Sequence, residues 1–140
     1  MSIALFTLGG TIAMAGTGSG GVVTRLTGAQ LTAAVPGLAD LAEPLDVRDV
    51  EAVPSAALTY AQLLDLVDAA GVAVADGATG VVVTQGTDTL EETAFLADLV
   101  WRHSAPLVFT GAMRNPTLAG PDGPATLLAA ARVAAAPAAR

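Results

Sequence analysis

Three short apolar runs in this chain lead directly into polar or glycine-rich loops. They cover residues 3–8, 81–83 and 106–110, and the segments GGT, TQGTD and GAMRN follow them in turn. Short runs that are almost uniformly apolar are typical of strands covered on both faces of a parallel sheet. This feature constrains the fold most, because it predicts polar loops at the carboxyl ends of several buried strands.

The segments between these runs favour helices. Thr59 is a good N-cap for the stretch YAQLLDLVDAAGVAVA, in which leucine and valine recur at helical spacing. Further helices are predicted at residues 27–34 with Thr27 as the cap, from residue 90 to about 102, and in the alanine-rich segment that Asp122 opens as a cap. Residues 45–53 alternate well enough for an edge strand.

This order of elements predicts an α/β fold with a doubly wound, mostly parallel sheet flanked by helices, Rossmann-like or flavodoxin-like. The 140 residues are about the length of one domain. In such sheets the ligand crevice lies outside the carboxyl ends of the strands.

Composition excludes several classes of function. The net charge of −7 argues against a nucleic-acid partner or an anionic membrane surface, since both require clustered cations. The chain has no cysteine and one histidine, His103, so a thiolate nucleophile or a histidine-based metal cluster is excluded. Small molecules or other proteins are therefore the expected partners, and no cofactor or metal held by cysteine or by a histidine cluster is expected.

The same sequence predicts no association with a membrane. No run approaches the ~20 apolar residues that span a bilayer. The first residues, MSIALFTLGG, lack the basic segment and cleavage site of a signal peptide. A cytoplasmic protein is therefore predicted.

Two of the loops carry candidate catalytic residues. In LGGTIA, Thr11 follows two glycines that allow close approach to a ligand, although a simple turn with Thr11 as a helix cap is an equal alternative. In TQGTDTLEETAF, Thr87 and Asp88 follow a buried strand, and ordinary helix capping is the alternative there. Together, the two motifs bring two threonines and an acid to the same crevice.

These motifs, followed by LVFTGAMRNP and DGPATLLAA, resemble the signature segments of the asparaginase and glutaminase-asparaginase family over residues 3–130. The resemblance implies hydrolysis of a small-molecule substrate, L-asparagine, with L-glutamine as an alternative, and with no cofactor and no metal. It also implies a homo-oligomer whose amino-terminal domain this chain represents. It assigns Thr11 as the nucleophile that forms an acyl-enzyme. It assigns Thr87 to orientation and oxyanion binding, Asp88 to the substrate ammonium group, Ser55 to the α-carboxylate and the Ala112 backbone carbonyl to the amide nitrogen.

The chain departs from the family pattern at three points. No tyrosine lies in the glycine-rich segment 15–21, which we interpret as a mobile flap; Ala56 replaces a common glutamine; and there is no lysine to complete the family's Thr-Lys-Asp relay. The carboxyl-terminal domain of the family is also missing. An incomplete fragment that at most binds an amino acid is therefore one alternative, and the amidase component of a tRNA-dependent amidotransferase is another.

A third motif competes for a function. Gly16, Gly18 and Gly21 satisfy the dinucleotide pattern G-x-G-x-x-G. That pattern requires a strand directly before it and a helix directly after it, and neither is predicted here. We interpret these glycines as flap hinges.

Overall fold

A computed structural model describes residues 1–16 and 23–139. The described elements follow in the order β1 (Ser2–Thr7), β2 (Met14–Gly16), β3 (Val23–Arg25), α1 (Gly28–Ala33), β4 (Leu45–Asp49), α2 (Tyr60–Ala75), β5 (Ala78–Thr84), α3 (Leu90–Val100), β6 (Leu107–Thr110) and α4 (Gly123–Ala134).

Four parallel strands form the central sheet in the order β4-β1-β5-β6. Strand β4 pairs with one side of β1, and β5 pairs with the other side of β1 and is followed by β6. The strand order therefore reverses at β1, and the crevice expected at such a switch point lies between the carboxyl ends of β1 and β5. This arrangement confirms the predicted doubly wound α/β fold.

Side chains of the central strands alternate between two apolar layers. Ile3 and Leu5 of β1 belong to a cluster formed with α1 and α4, whereas Ala4 and Phe6 belong to a cluster formed with α2. Small residues bring α4 close to the sheet, since Gly80 lies against the Ala134 carbonyl oxygen and has no room for a side chain. The core thus relies on alanine and glycine where a more aromatic domain would use rings.

Two of the three leucines of α2, Leu64 and Leu66, offer a matched test of this core. Leu66 is 2% exposed and packs under the sheet, whereas Leu64 is 42% exposed. We expect Leu66→Ala to lower the free energy of unfolding by about 2–5 kcal/mol and Leu64→Ala by less than about 1 kcal/mol. Urea unfolding followed by circular dichroism measures both, and equal losses would contradict this assignment of the buried face.

The predicted start of a helix is confirmed where the capping side chain bonds within the first turn of that helix. Thr27 and Thr59 both form complete capping boxes, with Gln30 and Gln62 respectively. Asp122 occupies the N-cap position of α4, but the predicted capping bond is absent because its carboxylate binds elsewhere.

Two predicted ends were wrong by a few residues. The predicted edge strand 45–53 ends at Asp49, because the Val50 and Glu51 N–H groups both turn to the Thr7 carbonyl oxygen. The third predicted helix ends at Val100, since Trp101 is extended and its indole N–H donates to the Ala105 carbonyl oxygen.

Of the predicted flap, residues 15–21, only Ala15 and Gly16 are described, and both belong to β2. Strands β2 and β3 pair antiparallel, with Met14 opposite Arg25. Residues 17–22, which include Gly18 and Gly21 of the competing glycine motif, lie outside the described residues. In the ranges 1–16 and 23–139, no helix combines the length and apolarity needed to cross a membrane.

Candidate active site

A cleft of about 130 Å³ lies at the switch point of the sheet, outside the carboxyl ends of β1 and β5. It brings together four of the five predicted site residues, Thr11, Ser55, Thr87 and Asp88. Their segments come from three separate parts of the chain, and the remaining lining residues are Gly9, Gly10, Ala13, Met14, Val53, Pro54 and Gly86.

Two glycines carry the chain from β1 to Thr11. Both have positive φ angles, +89° at Gly9 and +87° at Gly10, which side chains rarely tolerate. Gly10 lies directly against the backbone of Gly86, so the two strand-end loops touch with no side chain between them. Thr11 then begins a short 3₁₀ turn whose N-cap is Gly10, and the alternative in which Thr11 is the cap is wrong.

Thr87 and Asp88 lie in a second 3₁₀ turn that joins β5 to α3. The N-cap of α3 is Thr89, and its side chain makes no capping bond. The capping alternative involves Asp88 or Thr89, with Glu91 or Glu92 nearby. Thr89 does occupy the N-cap position and both glutamates lie in the first turn, whereas Asp88 lies one residue before the cap. The Thr87 and Asp88 side chains are left available to the cleft.

Gln85 holds this turn in place, a role that the sequence did not reveal. Its side chain is fully buried, and its Nε2 donates to Thr93 Oγ1 at 2.9 Å and lies 3.3 Å from Thr89 Oγ1. Thr93 in turn donates to the Thr89 carbonyl oxygen. The end of β5 is thereby fastened to the first turn of α3, with Thr87 and Asp88 between the two fastened points. The one available signal was a glutamine directly after a buried strand.

Ser55 lines the cleft beside Gly86. It is 3% exposed in a short turn after Pro54, and a Cβ at Gly86 would lie 2.9 Å from its hydroxyl oxygen. Within the described residues, this hydroxyl has no hydrogen-bond partner. A buried hydroxyl of this kind is costly unless it is satisfied, so its place in the cleft suits a polar ligand.

The fifth predicted residue, Ala112, does not line the cleft. It follows β6 and is 2% exposed, with its methyl group in the α1–α4 cluster together with Ile12. Gly111, just before it, approaches Thr87: a Cβ there would lie 3.0 Å from the Thr87 methyl group. Any part of Ala112 in binding must therefore come from its backbone.

The charge of the cleft is simple. Asp88 is the one ionisable side chain among the described lining residues, so the cleft favours a cationic group such as a substrate ammonium. No group of three His, Cys, Asp or Glu side chains in the described ranges could hold a metal ion. A larger groove of about 580 Å³ lies between α3 and β6, beside Trp101 and Phe109, away from the switch point.

Known proteins resemble this chain over nearly its whole length. Residues 2–140 match the family described as "Asparaginase, N-terminal". The chain is 44% identical to L-asparaginase 2-3 of Saccharomyces cerevisiae, over 96% of this chain and 38% of that protein. It is 36% identical to the glutaminase-asparaginase of Acinetobacter glutaminasificans, over 95% of this chain and 41% of that protein.

A solved structure agrees with these matches. The fold superposes on a probable cytoplasmic L-asparaginase from Campylobacter jejuni with a TM-score of 0.89 at 32% identity, covering 99% of this chain and 43% of that one. The chain therefore spans about two-fifths of the length of these relatives.

Proposed function

The chain belongs to the asparaginase family, and from that membership we propose that residues 1–140 form the amino-terminal, nucleophile-bearing domain of an L-asparagine amidohydrolase. One observation carries the proposal. The two motif threonines, from the ends of adjacent strands β1 and β5, line a single cleft with Ser55 and Asp88.

The chemistry follows from the groups in the cleft. The Thr11 hydroxyl oxygen attacks the side-chain amide carbon of L-asparagine, and the C–N bond breaks so that ammonia leaves with the hydroxyl proton. Water then hydrolyses the resulting aspartyl ester and restores the threonine. Thr87 orients the attack and its backbone N–H stabilises the oxyanion.

The remaining residues bind the amino-acid end of the substrate. Asp88 pairs with the ammonium group, a charge-assisted contact that a plain amide cannot make. The unpartnered Ser55 hydroxyl donates to the α-carboxylate. L-Glutamine is the alternative substrate within this proposal.

A second candidate function is amino-acid binding without turnover. A threonine nucleophile needs a neighbouring base to take its proton. The chain contains no lysine, and Asp88 is the one ionisable side chain among the described cleft residues. These facts favour the binding module for the 140 residues alone.

One experiment separates the two candidates. The purified 140-residue chain is mixed with L-asparagine, released ammonia is measured, and acid-quenched samples are searched by tandem mass spectrometry for an aspartyl ester at Thr11. Ammonia together with the ester supports the amidohydrolase, whereas calorimetric binding of L-asparagine without either product supports the binding module. An absence of both binding and turnover would contradict both candidates.

A cytoplasmic location is supported by the description of the Campylobacter relative. A homo-oligomer is an expectation from the family alone. The amidotransferase component remains a rival, and no feature of the described cleft favours it.

A further inference from the structure

The loop after β6 is held from both sides by the first turn of α4. The Asp122 carboxylate accepts hydrogen bonds from the Met113 N–H at 3.0 Å and from the Arg114 N–H at 2.9 Å. The Thr126 hydroxyl lies 2.9 Å from the Gly111 carbonyl oxygen and donates to it. Both peptide groups that flank Ala112 are therefore fixed by side chains of one helix turn.

The bond from Met113 fixes more than an N–H group. The Met113 N–H and the Ala112 carbonyl belong to one planar peptide unit, in which the two groups point in opposite directions. Because the N–H points at Asp122, the Ala112 carbonyl is turned away from α4. A Cβ at Gly111 beside it would lie 3.0 Å from the methyl group of Thr87, and Thr87 lines the cleft.

The charge of Asp122 strengthens this arrangement. The N–H groups of Met113 and Arg114 hold the pKa of its carboxyl below the ordinary value, so it is ionised at neutral pH. An ionised acceptor on the N–H side polarises the peptide group and makes its carbonyl oxygen a better acceptor.

We propose that Asp122 is a positioning residue that directs the Ala112 carbonyl at the side chain of the bound amino acid, where that carbonyl distinguishes an amide from a carboxylate. A carbonyl oxygen accepts a hydrogen bond from the NH₂ group of asparagine, and it repels the carboxylate oxygens of aspartate. This inference rests on the proposed function, because it assumes that L-asparagine occupies the cleft.

Binding measurements test it without turnover. In a Thr11→Val background, calorimetry gives the Kd of L-asparagine and of L-aspartate with Asp122 intact and with Asp122→Ala. We expect Asp122→Ala to weaken L-asparagine binding about tenfold and L-aspartate binding less than about twofold. Asp122→Asn keeps one acceptor oxygen, so it should weaken L-asparagine binding less than Asp122→Ala does. Thr126→Val should also weaken L-asparagine binding more than L-aspartate binding.

Matched readouts separate a specific effect from a general one. Asp65→Ala removes an exposed acid of α2 and should leave both affinities unchanged. Amide NMR should show the Met113 and Arg114 signals moving in folded Asp122→Ala. An unchanged ratio of the two Kd values in Asp122→Ala would overturn the inference. Amide signals of Met113 and Arg114 that do not move would also overturn it. If the Thr11→Val parent binds neither amino acid, the proposed function fails and this inference fails with it.

Discussion

Gly10→Ala should lower the free energy of unfolding by about 4 kcal/mol or more, the largest single-site loss of stability that we expect. Two costs add at this position. The residue has φ +87° and ψ −177°, a region open almost only to glycine. An added Cβ would also lie 2.6 Å from Gly86 Cα and 2.9 Å from the Gln85 carbonyl carbon, and backbone atoms cannot swing aside.

Gly77→Ala is the matched control for this experiment. Gly77 has a similarly positive φ of +105°, but no atom lies within 4 Å of the position that its Cβ would take. Gly77→Ala should therefore lower the free energy of unfolding by about 1–2 kcal/mol, which is the cost of the backbone conformation alone. Urea unfolding of both variants gives the difference, and a Gly10→Ala protein no less stable than Gly77→Ala would show that the two loops can separate easily.

In an active amidohydrolase that contains this domain, Thr11→Val should reduce ammonia release from L-asparagine about 10⁴-fold or more. Valine keeps the branched shape of threonine but has no hydroxyl oxygen, so no acyl-enzyme can form. Thr11 begins a short turn and makes no cap, so its loss should leave the unfolding free energy nearly unchanged.

The control for Thr11→Val is Thr117→Val, the same exchange at an exposed loop position outside the cleft. It should leave the rate unchanged. A Thr11→Val protein that keeps more than about a tenth of the wild-type rate would remove Thr11 from the role of nucleophile.

Helix caps and the shared edge of the parallel strands were predictable from the sequence, whereas side-chain contacts that depend on how successive elements pack were not. The caps Thr27 and Thr59 bond three residues along the chain, so the sequence alone indicates them. Thr11 and Thr87 could be placed together because parallel strands end at the same edge of a sheet. In contrast, the Asp122 carboxylate binds the N–H groups of Met113 and Arg114, which lie nine and eight residues earlier in the same loop. A cap for α4 was the expectation because it needs only the local sequence.

The same distinction explains Gln85 and Ser55. A glutamine after a strand looks like a solvated loop residue, until α3 folds back and supplies Thr89 and Thr93 as partners. The burial of Ser55 depends on Gly86, which arrives from a strand that the sequence does not place beside it. The roles assigned to Thr11, Thr87, Asp88, Ser55 and Ala112 stay predictions, although four of the five share the cleft.

The central position of β1 has a consequence for how the domain is made on the ribosome. This strand pairs with residues 45–49 on one side and with residues 78–84 on the other, so it leaves the ribosome well before either neighbour. Pairings between segments so distant in sequence form slowly, because the entropy of closing a long loop is lost before any contact stabilises the pair. During that interval a strand whose last five residues are buried in the folded sheet is exposed, which favours aggregation of the nascent chain.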